Sequence, residues 1–173
     1  SSRCRKKSSA RRSSFPAAAL PPETTSGVVN MIEQRPTSRL LVVEDSDEDF
    51  EAIVRSLNKV GPVPEISRCV DGDDALDHLN GRGAYAGAPV WKPPSLILLD
   101  LNLPATDGRE VLAEIKHDTR LSTIPVVVLT TSANPKDIEA CYRAGANSYM
   151  IKPVNLDELL GRIDQLNAAG GNE

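Results

Sequence analysis

Leu96-Ile97-Leu98-Leu99-Asp100 runs four apolar residues straight into a carboxylate. Unbroken Leu/Ile without polar alternation fits a strand buried on both faces, as in a parallel sheet covered by helices. Asp100 then stands where the strand leaves the core, and in open α/β sheets the ligand crevice lies outside the carboxyl ends of the strands. Three more runs end the same way. Leu40-Leu41-Val42-Val43 meets Glu44-Asp45, Val126-Val127-Val128-Leu129 meets Thr130-Thr131-Ser132, and Ser148-Tyr149-Met150-Ile151 meets Lys152. A single polar residue at a strand end signifies little. Four endings that complement one another chemically signify a site.

The charges suggest its chemistry. Three carboxylates brought together repel, and an oxygen-only donor set suits Mg2+. A hard cation beside an amine and a hydroxyl can gather around a phosphoryl group and neutralise its oxygens. A carboxylate can also serve as the nucleophile and become an aspartyl phosphate.

Working outward, a βα rhythm begins at Arg39. Strand one is expected over 39–44. Ser46 caps a helix opened by Asp47-Glu48-Asp49, whose charges oppose the positive end of the helix dipole. Phe50, Ile53, Val54 and Leu57 form its apolar stripe, and Gly61-Pro62 ends it. Strand two is expected from Glu65 to Val70, followed at Asp71-Gly72-Asp73 by a helix with Ala75, Leu76 and Leu79 inward. Gly81 to Pro94, with Trp91, reads as a long loop into the central strand. After Asp100, Leu101 to Gly108 is rich in turn residues, and Val111, Leu112 and Ile115 mark a third helix. Ile124-Pro125 leads into strand four. Asn134-Pro135 opens a fourth helix that Gly145 closes. Strand five is expected over 147–151. Asn155 caps a last helix carrying Leu156, Leu159, Leu160, Ile163 and Leu166. Five strands and five helices in this alternation predict an α/β fold. The sheet is doubly wound and parallel with right-handed crossovers, in the flavodoxin-like order 2-1-3-4-5. In that order the two strands carrying acids adjoin at the switch point.

Residues 1–38 differ in kind. They hold seven Lys/Arg against two acids, whereas 39–173 hold thirteen against twenty-two. Ser, Arg, Ala and Pro dominate without periodicity, which reads as a disordered basic tail. An organelle transit peptide and a polyanion-binding arm are alternatives, and Met31 is a candidate start that would leave residues 1–30 outside the native protein. Residues 39–168 form the expected domain and 169–173 a frayed end. At 3% aromatic and 40% hydrophobic, the core is expected to be aliphatic. No apolar run approaches the ~18 residues that span a bilayer, and no secretory signal opens the chain, so the reading is cytoplasmic. No basic patch for nucleic acid is visible on the folded part. Cys4, Cys69 and Cys141 are widely spaced without CxxC, which reads as reduced thiols. His78 and His117 read as solvated helix-surface residues.

Taken in order, Glu44-Asp45, Asp100, Pro104, Asp107-Gly108, Thr130 and Lys152-Pro153 resemble the receiver domain of a two-component response regulator over residues 39–167. The long Gly81–Pro94 segment, Leu101-Asn102-Leu103-Pro104, Asp107 to Leu112 and Thr130-Thr131-Ser132 resemble the small regulators that serve cyanobacterial and bacterial phytochromes. The resemblance implies Asp100 as phosphoacceptor from a histidine kinase, such as a bacteriophytochrome. It implies Mg2+ on Glu44, Asp45, Asp100 and the main-chain carbonyl of Asn102, with Thr130 and Lys152 holding phosphoryl oxygens. Tyr149 falls at the aromatic switch position, Lys152-Pro153 is expected to be cis, and a homodimer through the fourth helix, fifth strand and fifth helix is implied. Thr106 stands where Met is common, and Thr131 where Ala or Gly is usual. Output would be a contact with a downstream protein or a phosphotransfer protein, not turnover of a substrate.

Other classes fit less well. A phosphatase of the haloacid-dehalogenase type also uses a strand-end Asp with Mg2+, but wants an acid two residues on, where Asn102 stands. A receiver-like binding module that is never phosphorylated usually lacks a site residue, and none is missing. Neither GxGxxG nor GxxxxGK[ST] occurs to support a nucleotide-binding protein.

Overall fold

The computed structural model describes residues 39–59, 65–87, 92–155, 157–162 and 165. The basic tail, Cys4, Met31, Gly61-Pro62, Trp91, Leu156, Ile163, Leu166 and the terminal 169–173 lie outside the described residues. The elements are β1 (Arg39–Val43), α1 (Asp47–Leu57), β2 (Glu65–Cys69), α2 (Gly72–Asn80), β3 (Leu96–Asp100), α3 (Gly108–His117), β4 (Val126–Thr130), α4 (Pro135–Arg143) and β5 (Ser148–Ile151). Residues 157–162 are helical and form α5. The five strands are parallel in the order β2-β1-β3-β4-β5.

The apolar runs are unbroken because both strand faces are covered. Leu41, Val43, Ile97, Leu99, Val126 and Val128 pack on one side with α2, α3 and α4. Leu40, Val42, Leu98, Val127, Leu129 and Met150 pack on the other against Ile53, Leu57 and Leu159. The expected helix stripes are inward: Ile53 and Leu57 on α1, Ala75, Leu76 and Leu79 on α2, Val111, Leu112 and Ile115 on α3. Phe50 and Val54 on α1 are only half-buried. The caps hold as read. Ser46 Oγ accepts from the Asp49 amide, and Asn155 Oδ1 accepts from the amides of Asp157 and Glu158. Lys152-Pro153 is cis.

Several boundaries differ from the sequence reading. β1 stops at Val43, although the Glu44 amide still donates to Cys69 O. β2 stops at Cys69, and Val70 turns outward, 47% exposed. β5 starts at Ser148, because Asn147 spends its side chain on the strand's entry: its Oδ1 accepts from the Val126 amide. The stretch after Gly81 is not all loop, since Gly83–Tyr85 forms a 3-10 turn. That turn also corrects the reading of His78. Its ring meets Tyr85 edge-on at 4.6 Å, and partial burial lowers its pKa while Asp74 opposes the shift. The Tyr85 hydroxyl donates to Asp74 Oδ1 at 2.9 Å, tying the turn to α2. His117 is exposed as expected. Cys69 and Cys141 are buried free thiols, and burial pushes Cys69 up to about 12.

Candidate functional site

The sheet order places the carboxyl ends of β1, β3 and β4 side by side, with β5 next to β4. Glu44 follows β1 and is wholly buried, Asp100 ends β3 at 2% exposure, and Thr130 ends β4 at 3%. Asp45, next to Glu44, is exposed at the rim. One oxygen from each of Glu44, Asp45 and Asp100 lies within 4.8 Å of the other two. Residues 56 positions apart in the chain thus meet because β1 and β3 are neighbours, with Val43 paired to Leu99.

Lys152 reaches this cluster from the end of β5. Its Nζ donates to Glu44 Oε2 at 2.5 Å, Asp100 Oδ2 at 2.8 Å and Asp49 Oδ2 at 2.9 Å. All three ammonium protons are used on carboxylates. Burial alone would lower the lysine's pKa, but the bonds to Asp100, Glu44 and Asp49 outweigh it and raise the pKa, so the amine stays charged. Burial raises Glu44 to about 7, against the pull of the Lys152 bond and of the Ser46 amide, which donates to Glu44 Oε1 at 3.0 Å. The remaining oxygen of Asp100 accepts from the Asn102 amide at 2.9 Å.

One ammonium faces four carboxylates, so the cluster keeps a surplus of negative charge even with Glu44 partly protonated. Oxygen ligands in that excess suit a hard divalent cation. The residues present therefore fit a metal such as Mg2+, with Lys152 supplying part of the neutralisation.

Behind the acids, the loop after β4 is tied by Ser132. The Ser132 amide donates to Thr130 Oγ1 at 3.1 Å, and its hydroxyl donates to Asp137 Oδ2 at 2.6 Å. The Tyr149 hydroxyl donates to Ser132 O, with the ring turned inward at 5% exposure. The turn after β3 is held from below. An added Cβ on Gly108 would stand 2.3 Å from Asp100 O and 2.6 Å from Leu101 Cα, so α3 begins in backbone contact with the acid's own strand. Thr106 donates its hydroxyl to Asp73 Oδ1 on α2, and Thr131 is exposed at the rim.

Of the residues expected at the site, Glu44, Asp45, Asp100 and Lys152 come together directly. Thr130 lies beside them with its hydroxyl engaged by the Ser132 amide, and Tyr149 lies one layer behind. The Asn102 amide turns back onto Asp100. Asp49 was missed. Its place in an acidic first helical turn explains it equally well as a dipole partner, and only its spacing of one helical turn from Asp45 hints otherwise.

The family described as response regulator receiver domain matches residues 40–164. Response regulator Rcp1 of Synechocystis sp. is 44% identical over 131 residues, covering 76% of this chain and 87% of that protein. The crystal structure of its Mn2+-bound form superposes with a TM-score of 0.63 at 42% identity, over 76% of this chain and 92% of that one. The phosphorylated cyanobacterial phytochrome response regulator RcpA gives 0.64 at 42% identity, over 76% and 91%. Among the described residues, no helix is long and apolar enough to cross a membrane.

Proposed function

The chain belongs to the response regulator receiver family, and from that premise we propose that it accepts a phosphoryl group from a histidine kinase onto Asp100 in a Mg2+-dependent step and acts as a switch. The observation that carries this reading is the Lys152 ammonium shared among Glu44, Asp49 and Asp100 at the carboxyl edge of the sheet.

Glu44, Asp45, Asp100 and the main-chain carbonyl of Asn102 would hold Mg2+. When bound, it neutralises charge on the transferring group's oxygens. A carboxylate oxygen of Asp100 forms the new O–P bond as the P–N bond to the kinase histidine breaks, giving an acyl phosphate. Lys152 turns a proton from a carboxylate to a phosphoryl oxygen, and the Thr130 hydroxyl leaves the Ser132 amide to donate to another. That movement draws the loop after β4 inward behind the Tyr149 ring, which already stands inward, and phosphorylation holds the ring in this active position. The phosphoryl group shifts this equilibrium only by its differential contacts with the two states, about 1–3 kcal/mol. The partner kinase is phytochrome-like, which the likeness to RcpA supports. Action is cytoplasmic, and output passes through protein contacts. Tyr142 on α4 and Ile151 on β5, 44% and 41% exposed, give a homodimer its apolar contacts there.

Acetyl phosphate with Mg2+ is expected to add one phosphoryl group per chain, mapped to Asp100 by mass spectrometry and absent from Asp100→Asn. A group mapped elsewhere, or undiminished in that variant, sinks the assignment. Sustained phosphate release would point instead to a hydrolase. Thr130→Ala is expected to accept the group yet lose most of the response at α4 and β5, read by amide exchange with and without beryllofluoride.

A further inference from the structure

Glu44 and Asp45 sit on the loop between β1 and α1, and something must fix their approach to Asp100. Arg68, on the edge strand β2, is paired with Val42 and projects over the start of α1. Its Nε donates to Glu44 O at 3.1 Å and its Nη2 to Asp45 O at 3.2 Å. Its Nη1 donates to Asp47 Oδ1 at 2.6 Å, and its Cζ lies 4.6 Å over the Phe50 ring. One guanidinium thus grips the carbonyls of both acidic residues, braced by a carboxylate on one side and an aromatic face on the other. The fork is planar and rigid, so holding three oxygens fixes the peptide planes of Glu44 and Asp45 relative to the sheet. The side chain is only 22% exposed, so its bond to Glu44 O is partly shielded, while those to Asp45 O and Asp47 lie at the surface.

We propose that Arg68 is a positioning residue for the divalent cation, clamping the Glu44–Asp45 backbone so that both carboxylates face Asp100. The proposal rests on the reading of those acids as a metal site. A clamp and a mere nearby charge predict opposite signs. Arg68 carries positive charge toward a cation site, so by charge alone its removal tightens binding. As a clamp, its removal weakens binding, because the two carboxylates lose their fixed approach.

The test uses Arg68→Met, which keeps an unbranched apolar side chain without charge or donors, and Arg68→Lys, which keeps charge without the fork. Mg2+ affinity is measured by calorimetry, and amide exchange at Ser46 is measured in the metal-free protein. The clamp predicts Mg2+ binding weaker by about tenfold in both variants, the scale on which supporting residues act on metal sites. Exchange at Ser46 is expected to quicken while that of the β4 amides is unchanged. Tighter binding in Arg68→Met with unchanged binding in Arg68→Lys overturns the proposal. Should Arg68→Met fail to fold, Arg68→Lys decides alone: wild-type affinity and wild-type exchange there overturn it. A wild-type protein that binds no Mg2+ strikes the metal reading instead, and the exchange measurement still decides the clamp.

Discussion

Lys152 and Lys116 occupy opposite ends of the same sheet, and each directs its ammonium at three oxygens. At the amino end, Lys116 donates to Ser122 O at 3.3 Å, Ile124 O at 2.9 Å and Asn147 Oδ1 at 2.9 Å. Every one of those oxygens is neutral. Burial lowers the Lys116 pKa, and no carboxylate is there to oppose it. At the carboxyl end every oxygen on Lys152 is a carboxylate, and the hydrogen bonds outweigh burial. The first arrangement is complete as it stands, a stitch holding the entries to β4 and β5. The second retains unneutralised charge and has use for a further cation. One fold thus keeps the same side chain closed at one end and poised at the other.

A glycine at each end of the sheet offers the severest test. At Gly108 an added Cβ meets backbone that cannot retreat, whereas at Gly145 it meets Lys116 Cγ at 2.9 Å, which can, although φ of +102° brings its own strain. Gly108→Ala is expected to cost about 3 kcal/mol by overpacking, and Gly145→Ala about 1–2 kcal/mol from the backbone conformation. Urea unfolding reads both, and a reversed order would break the contrast between a rigid carboxyl edge and a yielding amino edge.

Exchange of the lysines comes next. Lys116→Met leaves three oxygens short of a donor and is expected to lose about 2 kcal/mol, with no recovery in Mg2+. Lys152→Met leaves the carboxylates facing one another, so it melts low without metal, and its gain in melting temperature on adding Mg2+ exceeds that of wild type. Equal Mg2+ responses in the two variants would show that the ends do not differ as described. Asp45→Ala sharpens the point from the other side. Removing an exposed member of the cluster relieves repulsion, so Mg2+ binding weakens while the metal-free melting temperature does not fall. A clear drop would mean that Asp45 serves the fold.

The smallest effect concerns His78, which is half-buried and only partly compensated by Asp74. Its folded pKa lies below the ordinary value of 6.5, so the unfolded chain takes up the proton first. The stability it confers is present above pH 6.5 and lost as pH falls below it. Relative to His78→Gln, wild type is expected to lose stability between pH 7.5 and pH 5.5, a range of about two units centred on the ordinary histidine pKa, read from urea midpoints. An unchanged difference would show that the Tyr85 contact leaves the ring free to protonate.

How far the sequence reaches differs from strand to strand. β1, β3 and β4 are legible because burial on both faces demands continuous aliphatics, and their ends name the site. β2 is harder to bound: as an edge strand it is only partly covered, so Glu65, Ser67 and Arg68 interrupt the pattern. That same edge hides Arg68, whose polar side chain reads as solvent-facing until β1 is placed beside it.

The sequence by itself determined the parallel α/β order, the caps at Ser46 and Asn155, and the placing of Glu44, Asp45, Asp100, Thr130 and Lys152 at strand ends. Each of these rests on local chemistry or on a strand ending, which survive in one dimension. Only the tertiary structure decided which acid of Asp47-Glu48-Asp49 meets Lys152, and which of two lysines lies among charges. It also decided that a guanidinium from β2 holds the acidic loop. Those contacts join residues up to 108 positions apart, and no local pattern distinguishes among candidates of the same chemistry until the sheet brings one of them within bonding distance.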